Sequence, residues 1–288
     1  MNFFISNFKK NKNFFYSSIF GILLIYSTLF IILNYIVKKD PSEVYLVKHH
    51  LKNIKEKEYS TIFLGDSTLG NSINTNYWKI LSNENSLSLA LWGDISFEGH
   101  LFMLEKIKIK KIKKIYIMTG LDIWINSPKK SKDQLKLIEK YLKKNIIIFP
   151  SILKIRQIFI PNPKIINDFY ENNGPNLTID DIRKISIKNF VPSKIQLSQI
   201  QNLKKIFQIC EENKLECVHF NGPLHSKFCN NVSLNSYMDS IYNLMKKNKI
   251  IFNDKILCIN QSEIGNSWTH PHPNYKKKFT EKYFSLVD

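Results

Sequence analysis

Three short blocks hold the side chains in this sequence best suited to chemistry. The first is Ile62-Phe63-Leu64-Gly65-Asp66-Ser67, an apolar run closing on a turn with a hydroxyl at its tip. Such a run reads as a buried strand, and in an α/β sheet ligands gather outside the carboxyl ends of the strands. A serine placed there, where a helix begins, meets backbone N–H groups and a helix dipole that favour developing negative charge. Gly65 lets the chain turn tightly and leaves room for a substrate. Taken alone, Gly-Asp-Ser is also ordinary turn chemistry. The second block is Thr269-His270-Pro271-His272-Pro273-Asn274, just ahead of a final helical pattern. A histidine there can take a proton from Ser67 and return it to a leaving group. The bland alternative is a rigid surface loop. Two close histidines also raise the question of a metal, but no carboxylate or thiolate beside them completes a ligand set, so neither metal nor cofactor is expected. The third block is Thr119-Gly120-Leu121-Asp122, at the end of another apolar run.

Further polar and aromatic residues fall near the same strand ends. Asp94, Glu98 and His100 follow the run Leu87 to Leu91 and are candidates to line a cleft, with helix capping the simpler role for Asp94 and Ser96. Trp92 and Trp124 flank the same region, where an aromatic plane suits either sugar stacking or core packing. His225, after Phe220-Asn221-Gly222-Pro223-Leu224, is a candidate substrate contact.

Alternating patterns must position these blocks. Strands are expected at Thr61 to Leu64, Leu87 to Leu91, Ile115 to Met118, Glu216 to Phe220 and Lys255 to Ile259. Helices are expected at Phe97 to Ile109, Leu197 to Asn213, Ser236 to Lys247 and Tyr275 to Phe284. Short apolar strands separated by amphipathic helices imply a parallel sheet covered on both faces. Residues 123–193 interrupt the rhythm as an insertion with a helix at Lys132 to Lys144, an apolar segment from Asn145 to Ile160 and a Pro/Asn-rich run. An insertion of this length suits a lid or substrate-binding element, or a surface excursion with its own small core.

Upstream, Phe14 to Val37 carries no charge over 24 positions and has aromatics near both ends. At 1.5 Å per residue such a helix crosses a hydrocarbon core of ~30 Å. No small-residue cleavage site follows, so the expectation is an uncleaved anchor through residues 14–37. Lysines flank the span on both sides, and the charge rule does not orient it. The expected organisation is a tail (1–13), the anchor (14–37), a helical spacer (38–57) and a catalytic-type domain (58–288).

The net charge of +18 comes almost wholly from lysine, with Arg156 and Arg183 the only arginines. Base readout and bidentate phosphate clamps favour arginine, and no nucleic-acid motif is present, so nucleic acid is not an expected partner. Attraction to an anionic membrane or polymer is in keeping with the charge. Cys210, Cys217, Cys229 and Cys258 lack C-x-x-C spacing and leave disulfides and buried thiols both open.

Together the blocks resemble those of the SGNH (GDSL-like) hydrolase superfamily, from about Ser60 to the C-terminus. The resemblance implies a three-layer α/β/α, flavodoxin-like fold with Ser67 as nucleophile and His272, followed by Pro-Asn and a helix, as base. It puts Gly93 in the oxyanion hole, and Asp122 at the end of the block where the family carries Gly-x-Asn-Asp. Two departures stand out. No asparagine occupies that block, and an ionised Asp122 only accepts hydrogen bonds. Thr269 stands three before His272, where the family has the aspartate that orients the histidine; Asp122 or Asp94 is then the expected carboxylate.

Membrane-anchored relatives of this plan imply acyl-ester chemistry on an envelope glycan or its precursor. The domain would be extracytoplasmic, with a place for a membrane partner protein to supply the acyl group. A lipase or thioesterase is the nearest competing enzyme. From a different class, the two departures suit a non-catalytic glycan-binding scaffold with a degenerate pocket.

Overall fold

Apolar runs rich in Ile, Leu and Phe become short strands because they fit a pleated surface buried on both sides. In the computed structural model, which describes residues 16–28, 42–107, 109–142, 169–170 and 175–287, seven strands form. These are β1 (Thr61–Gly65), β2 (Ser86–Ala90), β3 (Lys114–Thr119), β4 (Glu216–Asn221), β5 (Leu224–His225), β6 (Phe252–Asn253) and β7 (Cys258–Ile259). One sheet has the order β2-β1-β3-β4-β6, all parallel; β5 and β7 pair separately. Strand β1, flanked by β2 and β3, is buried along its whole length, with Thr61 opposite Ser86 on one side and Lys114 on the other. The order reverses between β1 and β3, where open parallel sheets leave a crevice for ligands.

The helices that frame the sheet are α1 (Ser42–Glu56), α2 (Ser67–Ser72), α3 (Thr75–Ser82), α4 (Ser96–Lys106), α5 (Pro128–Leu142), α6 (Leu197–Glu212), α7 (Val232–Lys247) and α8 (Lys276–Phe284); short helical pieces also lie at Ile179–Lys184 and Ser226–Cys229. They pack in two sets, α4 with α5 and α6, and α2 and α3 with α8. The chain is thus an α/β protein built on a five-stranded parallel sheet.

Three expectations change. The segment Lys255 to Ile259 does not extend the main sheet; the fifth strand is β6, and Cys258–Ile259 pairs with β5 instead. The insertion's helix begins at Pro128 rather than Lys132, since proline suits a first helical turn. Residues 38–57 were expected as a spacer, but helical α1 docks on the domain. Val44, Leu46, Val47 and His50 are buried, and His50 Nε2 donates to the Ala90 carbonyl at 2.8 Å. The Tyr170 hydroxyl reaches the Ser88 carbonyl at 3.4 Å. Two carbonyls on the edge of β2 are therefore met by side chains.

Of the apolar span, residues 16–28 are helical with Phe20, Leu23, Ile25 and Tyr26 exposed; its remainder lies outside the described residues. Among the described residues, no helix is long and apolar enough to cross a membrane. The apolar segment 145–160 and most of the Pro/Asn-rich run also lie outside them. The cysteines pair as Cys210–Cys217, joining the end of α6 to β4, and Cys229–Cys258, tying the turn after β5 to β7.

Candidate active site

The turn after β1 is built from backbone contacts before any side chain acts. A Cβ on Gly65 would lie 2.0 Å from the Met118 carbonyl oxygen on β3, so only glycine lets β1 and β3 close at this level. Asp66 caps α2, its carboxylate accepting the N–H groups of Thr68 and Gly120, each at 2.8 Å. One acidic side chain thereby ties the ends of β1 and β3 together. Burial, with repulsion from Asp122, pushes the Asp66 carboxyl up to about 7 despite those two donors. Ser67 follows as the first residue of α2, half-buried at the crevice. Asn71 Nδ2 donates to the Ser67 carbonyl at 2.7 Å and holds that first turn.

The partner of Ser67 is His270. Its Nε2 lies 3.1 Å from Ser67 Oγ, and its Nδ1 lies 3.0 Å from Asn266 Oδ1. An amide oxygen only accepts, so Nδ1 carries the proton and Nε2 presents its lone pair to the serine hydroxyl. Burial lowers the pKa of His270 to about 4, which keeps the ring neutral at ordinary pH. This arrangement can draw a proton from Ser67 and hold the imidazolium through a neutral amide rather than a carboxylate.

The expected base, His272, is not the one in place. Its Nδ1 accepts the N–H of Asn274 at 3.2 Å and caps the short turn ahead of α8. Backbone bonds of the loop explain the two-residue shift. Ile264 bridges Pro271, Gly265 N–H donates to the His270 carbonyl at 2.7 Å, and His272 N–H donates to the Glu263 carbonyl at 2.7 Å. Glu263 is buried and paired with Lys278. The loop so pinned presents His270 inward. Neither expected carboxylate orients this ring. Asp94 pairs with Lys130 at 2.8 Å, and Asp122 sits beside Gly120, where a Cβ would come within 2.8 Å of its Oδ1. The packing round Asp122 raises its pKa, and Asp94 adds repulsion. Thr269 serves the loop instead: its hydroxyl accepts from Thr68 at 3.4 Å.

Gly93 stands against Asp66, a Cβ there lying 3.9 Å from the Asp66 Cβ, which brings this peptide beside the nucleophile turn. Asn126 Nδ2 donates to the Gly93 carbonyl at 2.9 Å, and Gln199 Nε2 donates to the Asn126 carbonyl at 3.0 Å. Ser96, with φ +56° and ψ −162°, closes this loop in a strained conformation that the surroundings must hold. Asn126, Gln199 and Asn266 were not singled out from the sequence. Asn266 alone left a signal, at four residues before a loop histidine.

The remaining candidates are structural. His100 is buried beneath Phe97, Trp124 is wholly buried against Phe97 and His219, and Glu98 also faces inward. Burial holds His100 and His219 down at about 3. His225 is buried, bonds Gln261 at 3.1 Å and accepts the Lys227 N–H at 3.2 Å. Trp92 packs edge-on against Phe169 at 4.6 Å. No metal-binding group of His, Cys, Asp or Glu occurs among the described residues.

No family profile matches the sequence, and no curated protein matches it either. Among solved structures it is similar to a Bacteroides fragilis protein provisionally named an acylhydrolase. The identity is 11% and the TM-score 0.39, over 86% of this chain and 97% of the other. A likeness that remote carries no argument about the reaction, which must be read from the geometry.

Proposed function

We propose that the chain is an SGNH-type serine esterase or O-acyltransferase acting on acyl esters of a cell-envelope polysaccharide or its precursor. The observation that carries this reading is the chain Ser67 Oγ, His270 Nε2, His270 Nδ1, Asn266 Oδ1, at 3.1 Å and 3.0 Å, on the switch point of a parallel sheet. Ser67 Oγ attacks the acyl carbonyl as its proton passes to His270 Nε2. The oxyanion meets the backbone N–H groups of Ser67 and Gly93. Collapse expels the alcohol, which takes the proton from His270 and leaves an acyl-serine. Water or a sugar hydroxyl then attacks the acyl carbonyl as its proton passes to His270, the bond to Ser67 Oγ breaks, and His270 returns the proton to Ser67.

Anchoring through residues 14–37 and an extracytoplasmic domain belong to the same proposal. The exposed apolar helix at 16–28 and two disulfides, which persist in oxidising compartments, support it. Carbonate washing tests the anchor, and protease access in intact cells against inverted vesicles tests the side.

For the chemistry, a fluorophosphonate probe should label the full-length chain at Ser67. Ser67→Ala should abolish both labelling and turnover of acetylated glycan, by about 10³-fold or more, with an unchanged melting temperature. A parent chain that takes no label would sink the catalytic reading and leave a glycan-binding scaffold.

A further inference from the structure

The loop that carries His270 hangs from a small structure of its own. Its base is the pair of two-residue strands β5 and β7, with Leu224 beside Cys258 and His225 beside Ile259. So short a two-stranded piece is marginal without further ties. Residues 260–272 run on directly from β7 and are fastened back to β5. The His225 N–H donates to the Trp268 carbonyl at 2.8 Å, two residues before His270. The Trp268 ring packs edge-on against Phe228 at 5.1 Å, and the His225 ring bonds Gln261 at 3.1 Å. His270 thus depends for its place on how β5 and the helical piece Ser226–Cys229 sit against β7.

One covalent bond sets that relation. Cys229–Cys258 joins the end of the helical piece to β7, between residues 29 positions apart, with α7 and β6 in the intervening chain. Closing so long a loop removes much of the freedom of the two ends to part. The two disulfides also differ in access. Cys210 and Cys217 are buried, at 2% and 4% exposure, and Cys217 lies near the start of β4, at the opposite end of the sheet from Ser67. Cys229 and Cys258 are both half-buried. A thiolate must reach a sulfur to exchange with it, so a dithiol meets Cys229–Cys258 first. The opened state is accommodated as well, since Cys229 Sγ lies 3.7 Å from the Leu224 carbonyl oxygen, an acceptor for a thiol.

We propose that Cys229–Cys258 is a redox switch on the Ser67 centre: closed, it holds the His270 loop in place, and a dithiol opens it and turns the centre down. The proposal rests on the esterase reading. In the exchange, a thiolate of the dithiol attacks one sulfur of the pair and expels the other as a thiolate, giving a mixed disulfide. The second thiol of the dithiol resolves it. Two electrons and two protons have then passed to Cys229 and Cys258, and the dithiol has closed to its own disulfide. Oxidation by a disulfide runs the same steps backward. An activity that needs this bond is confined to oxidising surroundings.

The test is titration of the full-length chain with dithiothreitol in a polyoxyethylene detergent. Mass mapping of alkylated thiols should show Cys229–Cys258 opening before Cys210–Cys217. Fluorophosphonate labelling of Ser67 should slow by about tenfold or more in step with that opening, and recover with oxidised dithiothreitol. Positioning is separated from folding by pairing Cys229→Ser and Cys258→Ser with His270→Ala. Losing both cysteines should slow ester hydrolysis about tenfold when His270 is present, and no further when it is absent. Hydrogen exchange reads the same event without turnover. On reduction the amides of 260–272 should exchange about tenfold faster or more, while those of β1 and β3 keep their protection. Should the serine variants not fold, exchange in the reduced parent decides. A chain that takes no label yet loosens in this way loses the esterase reading, and the bond still governs the loop. A labelled chain whose rate and loop exchange ignore the opening of Cys229–Cys258 overturns the switch. Prior opening of Cys210–Cys217, or loss of protection in β1 and β3 together with the loop, overturns it too, and leaves the bond a staple of the whole fold.

Discussion

Ser67 and His270 meet at 3.1 Å, yet the two are held by different kinds of structure. Ser67 follows directly on β1 as the first residue of α2, with Asp66 bonded across to Gly120 and Gly65 pressed against the next strand. Its position follows from the sheet, whose contacts reach across the whole domain. His270 rides on a loop held by its own short-range bonds, Gly265 to His270 and Asn266 to His270, and by the Glu263 pair with Lys278. The first arm is fixed by burial and the second by a few hydrogen bonds. A change in the strand packing that carries Ser67 should therefore act on folding, and a change in the histidine arm on rate and its pH dependence.

The largest effect should come from the base itself. His270→Ala should lower kcat/KM by about 10³-fold or more, while His272→Ala stays within about threefold of the parent. Hydrolysis of an activated acyl ester reads both. The opposite ranking would restore His272 and break the account of the loop. Next is Gly65→Ala, whose Cβ has no space beside the Met118 carbonyl. A destabilisation of about 3 kcal/mol is expected in urea unfolding, against nearly none for the loop variants. A fully stable Gly65→Ala chain would erase the contrast between the arms.

Between them stands the Gly93 peptide, steadied by Asn126. Asn126→Ala should lower kcat by about tenfold with KM little changed, since a backbone N–H that drifts loses value mainly in the transition state. The smallest change in rate, and the sharpest in pH, should come from Asn266→Asp. The base works only when neutral, so activity rises with pH through its pKa, which burial sets at about 4 in the parent. A carboxylate on Nδ1 stabilises the imidazolium and should move the acid limb upward by about 1–2 units. Asn266→Ala should lower kcat while leaving that limb low. A pH profile identical in parent and Asn266→Asp would show that Asn266 does not orient the ring.

The same contrast explains what could be read from the sequence. The strand under the serine arm was legible because Thr61 to Leu64 is a short β-branched and aromatic run ending in glycine. The resemblance to the SGNH superfamily then pointed to Ser67 and Gly93, each just past the end of such a run. The histidine arm was not, because His270 and His272 share the same proline neighbour and the same distance scale from α8. The bridge between Ile264 and Pro271, with the backbone bonds beside it, decides which ring turns inward. Asn126 and Gln199 were invisible for a related reason: each acts through one backbone carbonyl far away in the chain, and nothing local marks it. The docking of α1 was hidden too, since Val44, Val47, Leu51 and Ile54 describe an apolar stripe but not its partner.

That docking has a consequence for anyone shortening the protein. Strand β2 lies at the end of the sheet, and its outward carbonyls at Ser88 and Ala90 are met by Tyr170 and by His50 of α1. A chain begun at Tyr59, after the helix, would leave the Ala90 acceptor bare, together with the apolar floor beneath Val44, Leu46 and Val47. A bare strand edge beside an apolar patch is a template for pairing with a neighbour. Such a fragment should self-associate and precipitate, whereas one begun at Asp40 keeps the helix and its edge closed and stays dispersed; light scattering of the two would show the difference.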